Sequence, residues 1–192
     1  MADGTGSTKE RQFRSSADVR EATRPPDVGV GETVVYAAHG VGTVVARGRN
    51  IVAGTERECV VVEFEAGLRV TLSLDEAACR LRPVADRAEL DLVGSTLAAQ
   101  CGAHERSWTK RIKDSKAKLA RGNPGDLAEI VRDGAGRERP GAADRLSDGE
   151  RRVYLRAREL LVREISTARR VDVDEADGWI DTQIASFDES ED

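Results

Sequence analysis

A chain of 192 residues has room for one medium domain or two small ones, each with a modest core. Its 30 Lys and Arg stand against 35 Asp and Glu, and the net charge of -5 excludes a protein that coats nucleic acid through bulk charge, so any DNA contact must come from a local patch. No apolar run approaches the length of a membrane span and the first residues lack a signal-peptide core, so the expected location is the cytoplasm. Cys59, Cys79 and Cys101 are odd in number and widely spaced, and read as small apolar side chains rather than disulfide partners. The pair Cys101-x-x-His104 would need distant help from His39 and Cys59 to bind zinc, and without a second close ligand pair no metal or other cofactor is expected.

Residues 1–27 are polar and end in Arg24-Pro25-Pro26-Asp27, the composition of a disordered lead-in. From 28 to 84 the hydrophobic period is two. Val34-Val35-Tyr36 reads as a strand, His39-Gly40-Val41-Gly42 as a turn, and Val44-Val45 as the returning strand. Residues 47–54 form a polar excursion, after which 59–64 and 68–74 read as two more strands about Ala66-Gly67. In the last of these Leu68, Val70, Leu72 and Leu74 alternate inward while Arg69, Thr71 and Ser73 face out. Four or five short antiparallel strands of this kind predict a small SH3/Tudor-like barrel, since closure removes exposed edges.

Beyond Pro83 the period changes to that of a helix. Asp86 and Glu89 form a capping-box pattern ahead of Leu90, Val93 and Leu97, and the helix should end at Gly102. A second helix is predicted over 107–120 and a short third over 126–133, ended by Gly134, with 134–145 a glycine-rich loop. Ser147 and Glu150 form another capping box, opening the strongest helix, whose inner stripe is Tyr154, Ala157, Leu161, Ile165 and Ala168 with Arg and Glu on the far side. A last helix from about Asp174 carries Trp179, Ile180, Ile184 and Phe187, and 188–192 is an acidic tail. The fold class is therefore α+β: a β-barrel domain over 28–84 and an all-α bundle of about five short helices over 85–187.

Residues 107–121 hold six basic residues against one acidic, the sharpest local charge excess in the chain. On a helical wheel Trp108, Ile112, Ser115 and Leu119 share one stripe, Lys110, Lys113, Lys118 and Arg121 lie opposite, and Arg111 and Lys116 flank them. Two readings fit: a solvated basic face with Trp108 in the core, or a Trp that projects from the first turn beside phosphate-neutralising charge. His39 and His104 are the only histidines and have no nucleophile or carboxylate at a catalytic spacing, so no enzyme is expected.

The run Val30-Gly31-Glu32-Thr33-Val34-Val35-Tyr36 followed by His39-Gly40-Val41-Gly42 resembles the polymerase-interaction domain shared by CarD-like (CarD/CdnL) transcriptional regulators and transcription-repair coupling factors. The second half is similar to the CarD-like helical domain through Trp108, Arg111, Lys118-Leu119 and Gly122-Asn123. The likeness continues through 127–133, Leu146-Ser147, Glu150-Arg151, Ala157-Arg158, Leu161 and Glu164-Ile165. The resemblance implies a cytoplasmic bacterial regulator, a monomer associated with the nucleoid through polymerase, whose barrel binds the RNA polymerase β subunit. It places Arg49, Arg69 and Thr71 at that contact, although the family has a basic residue where Thr71 stands and a proline where Ser73 stands. It further implies that Trp108 wedges at the upstream edge of the transcription bubble, with Lys110, Arg111, Lys113 and Lys116 on the promoter backbone, reading little sequence. An adaptor that binds no DNA, its barrel meeting another partner, is the alternative.

Overall fold

The computed structural model describes residues 28–52, 54–100, 107–139 and 144–186. Strands β1 (Thr33–Tyr36), β2 (Gly40–Val52), β3 (Thr55–Phe64), β4 (Arg69–Ser73) and β5 (Leu81–Pro83) form one antiparallel sheet in the order β4-β3-β2-β1-β5. The first turn spans 37–39, starting two residues before the expected His39–Gly42 turn, and β2 starts at Gly40 opposite Tyr36. Gly42 permits the sheet to pack here, because a Cβ at this position would lie 2.7 Å from the Phe64 ring.

Three expectations for this half are corrected. The sheet is open, not a closed barrel: β4 and β5 are its two edges and do not pair. The chain between them is helical because Ser73 starts helix α1 (Leu74–Arg80) with a capping box to Glu76, and α1 packs against β3, β4 and β5. Ser73 is accordingly buried rather than outward-facing. Residues 47–52 are the continuation of β2, not an excursion; they pair with β3 in a two-stranded arm, Arg49 opposite Glu58 and Val52 opposite Thr55. A bulge between Val44 and Ala46 re-phases the strand at the arm's base.

Helices α2 (Arg87–Leu97), α3 (Trp108–Arg121), α4 (Pro124–Glu138), α5 (Asp148–Arg169) and α6 (Val173–Ala185) make the second unit. The capping boxes at Asp86/Glu89 and Ser147/Glu150 both form, with each N3 carboxylate returning to the N-cap backbone. The core has two centres. Val34, Val44, Val60, Val62, Phe64 and Leu72 fill the space between sheet and α1. Val93, Leu97, Leu127, Val131, Leu161, Ile165 and Ile180 fill the bundle.

Three helical expectations also change. Gly134 does not end its helix; α4 continues through it to Glu138, so the loop read over 134–145 is shorter at its start. The glycine serves close packing, since a Cβ there would stand 2.3 Å from Cδ2 of Tyr154 on α5. On α5, Glu150 and Glu164 belong to the buried face, not the far side, at 6% and 1% exposure. Both lie seven residues from fully buried Ala157, the spacing that returns a helical side chain to the same face. The first helix, α2, stops at Leu97, five residues before the expected Gly102, with the Ala98 N–H closing its last turn on the Gly94 carbonyl. The tails expected over 1–27 and 188–192, the Cys101/His104 pair and Phe187 fall outside the described residues.

Candidate functional site

Helix α3 presents the chain's concentration of basic side chains, and the structure divides them. Arg111 turns inward: its Nε donates to Glu150 Oε1 at 3.1 Å, and its side chain is only 14% exposed. Lys118 sits between Asp114 and Glu129, its Nζ at 3.1 and 2.8 Å from their carboxylates. Arg121 makes two hydrogen bonds to Asp126, at 2.8 and 3.0 Å. Lys110, Lys113 and Lys116 are exposed. At least three of the six basic side chains are thus engaged in holding α3 in place, so the outward patch is narrower than the count of charges implies.

Trp108 occupies the first turn of α3 and is 51% exposed. Ile112 on the same stripe is buried and Leu119 packs against the bundle core, so the stripe enters the core after Trp108 and not at it. The indole Nε1 donates to Ser147 Oγ at 3.0 Å. Trp179 contrasts with it: the ring is half-buried against the core of the bundle and carries the Arg169 guanidinium 5.1 Å from its centroid.

Beneath Trp108 lies a polar cluster that the sequence reading did not find. Arg137 donates from Nη1 to Glu150 Oε1 at 2.8 Å, and from Nε and Nη2 to the carbonyls of Asp144 and Arg145 at 2.8 and 3.1 Å. Burial alone would push the Glu150 carboxyl up, but hydrogen bonds from Arg137, Ser147 and Arg111 outweigh it and hold Glu150 down at about 2. Arg137 itself is 6% exposed. Its charge is therefore matched inside the protein, as a buried guanidinium requires.

In the sheet unit, Arg49 stands on the β2–β3 arm with its side chain 72% exposed and Glu56 3.7 Å away. Arg69 and Thr71 are exposed on β4, an edge strand bonded on one side only, to β3, and Arg69 pairs with Glu63. Arg49 lies opposite Glu58, one residue beyond the stretch of β3, Cys59–Glu63, that pairs with β4. Among the described residues no group of three or more His, Cys, Asp and Glu is placed to hold a metal ion, and no helix is long and apolar enough to cross a membrane.

These features define a protein of two packed units, one offering an open sheet edge and the other a basic helix with an exposed aromatic. The family model described as the CarD-like/TRCF RID domain matches residues 29–85, and that described as CarD, C-terminal domain matches residues 93–181. The two matches follow the order of the two units and cover most of the chain. The protein belongs to the CarD-like family of transcription regulators.

Proposed function

We propose that this regulator tethers to the RNA polymerase β subunit through its sheet unit, residues 28–84, and acts on promoter DNA through α3 of the helical unit, residues 85–187. The tether uses the exposed Arg49 on the arm, with Arg69 and Thr71 on the β4 edge, where unpaired backbone groups are available for strand addition. Lys110, Lys113 and Lys116 neutralise phosphates, and Trp108 stacks at the junction of double and single strands at the upstream edge of the bubble. Arg111 belongs to this set as the residue that fixes the helix on Glu150.

The observation that carries the reading is the half exposure of Trp108 at the start of the basic helix, in a chain where the other tryptophan packs on the core. A large aromatic left in solvent loses burial energy it would otherwise gain, and a stacking role accounts for it. The regulator acts by binding the open promoter complex more tightly than the closed one. A tenfold shift needs about 1.4 kcal/mol of differential affinity, within reach of one stacked base and a few phosphate contacts. The site of action is then the bacterial cytoplasm, at the polymerase.

The experiment is a paired one on Trp108→Ala. Open-complex lifetime should shorten while the melting temperature and co-purification with polymerase stay near wild type; a large fall in melting temperature with normal lifetime would return Trp108 to the core. Arg49→Glu supplies the opposite arm, with polymerase capture lost and helical content unchanged. Full capture by that variant, together with no promoter effect of Trp108→Ala, would favour an adaptor that touches no DNA.

A further inference from the structure

We propose that Ser147 is the positioning residue for Trp108, setting the orientation in which the exposed ring is presented. This rests on the reading of Trp108 above and adds what controls it. A half-exposed tryptophan on the first turn of a helix has several rotamers open to it, since few neighbours restrain the ring. Its one polar atom is a donor only. Here that atom is taken by Ser147 Oγ at 3.0 Å, from a residue 39 positions away that caps a different helix.

The acceptor is itself held. The Ser147 hydroxyl donates its hydrogen to Glu150 Oε2 at 2.7 Å, which fixes where the remaining lone pairs point and strengthens them as acceptors. Glu150 is clamped from the far side by Arg137 and Arg111, and Arg137 also grips the carbonyls of Asp144 and Arg145 just before Ser147. The chain of hydrogen bonds therefore runs Arg137, Glu150, Ser147, Trp108, from the buried interior to the exposed ring. Two consequences follow. The ring is ordered before it meets DNA, so less entropy is lost on contact. Its only donor is spent inside the protein, so it offers a base an apolar face and not a hydrogen bond, a contact tolerant of sequence.

The test uses the full chain. Ser147→Gly removes the hydroxyl while leaving an N-cap residue far better tolerated than alanine, and Ser147→Thr restores the acceptor. In a ¹⁵N-labelled sample the Trp108 indole N–H, assigned by its disappearance in Trp108→Phe, should exchange with water about fivefold faster in Ser147→Gly, as loss of one ordinary hydrogen bond implies. It should return to the slow rate in Ser147→Thr, with the Trp179 signal unmoved throughout as the control for global loosening. In promoter assays Ser147→Gly should shorten open-complex lifetime with Trp108 present and add nothing in the Trp108→Phe background, which keeps a ring but has no N–H. Equal indole exchange in wild type and Ser147→Gly overturns the proposal, as does a lifetime loss of the same size in the Trp108→Phe background, which would reduce Ser147 to a helix cap. Because the exchange measurement involves no DNA, it decides the positioning even if Trp108→Ala shows that Trp108 has no promoter role.

Discussion

Arg82 on the last strand and Glu164 in the middle of α5, 82 positions apart in sequence, form a two-pronged ion pair at the junction of the two units. The same guanidinium donates to the Gly122 carbonyl at 2.7 Å, and Glu164 also accepts the Ala85 backbone N–H at 3.0 Å. This pair, with Glu164 buried and Arg82 partly so, thus ties β5, the end of α3 and α5 together. Gly122 adds a steric reason for the closeness: it has φ of 64°, and a Cβ there would lie 2.6 Å from that of Ala37. On the other side of the junction Arg156 donates to the Ala38 carbonyl at 3.0 Å.

Glu164→Ala should therefore do more than remove one contact. It strands a largely buried guanidinium and an amide, a change that costs about 3–5 kcal/mol. Chemical denaturation should show that loss, and spin labels placed one in each unit should report a broadened distance distribution. An unchanged midpoint with an unchanged distribution would mean the units are held without this pair.

Glu150 makes stability depend on acid. Its folded pKa of about 2 lies below the ordinary 4.5, so its contribution is complete above pH 4.5 and is lost as pH falls through 2. The loss from this group amounts to up to about 3 kcal/mol. Glu150→Gln should be less stable at neutral pH yet flatter between pH 5 and 2 in denaturation series; a parallel pH profile for the two proteins would contradict the assignment.

The basic residues of α3 should sort into two kinds. Lys113→Ala and Lys116→Ala should leave the melting temperature alone and each reduce the salt dependence of DNA binding by about 0.9 in the log–log slope. Arg111→Ala should instead lower the melting temperature, because it removes a partner from buried Glu150. Calorimetry and a salt titration of the complex on all three variants separate the two groups.

Gly134→Ala would normally favour a helix by up to about 1 kcal/mol. Here it should destabilise by about 1–3 kcal/mol, since the added methyl meets Tyr154 and α4 must shift away from α5. Thermal unfolding of Gly134→Ala beside Gly134→Ala/Tyr154→Ala checks this, with the second change expected to relieve the clash.

Local signals in the sequence carried the order of elements and most of the helices. Runs of valine and the alternation from Leu68 to Leu74 defined the strands, and the Ser or Asp followed three residues later by Glu defined the starts of α2 and α5, because these preferences act within one or two turns of chain. The same local logic misread 47–52 and 134–138, where polar residues and glycines suit a loop by composition but 47–52 pair with β3 and α4 runs on through Gly134, which packs on Tyr154. Barrel closure failed for a related reason. Whether two edge strands meet depends on what lies between them, and the capping box at Ser73 put a helix there. The identity of Trp108 and the charge of α3 were legible at once. Which of those charges face outward was not, since it is set by the carboxylates of α4 and α5 that the fold brings against Arg111, Lys118 and Arg121. The links from Trp108 to Ser147 and from Arg82 to Glu164 span 39 and 82 positions. No local pattern encodes contacts of that range; packing of helix on helix brings Trp108 to Ser147, and packing of the sheet unit on α5 brings Arg82 to Glu164.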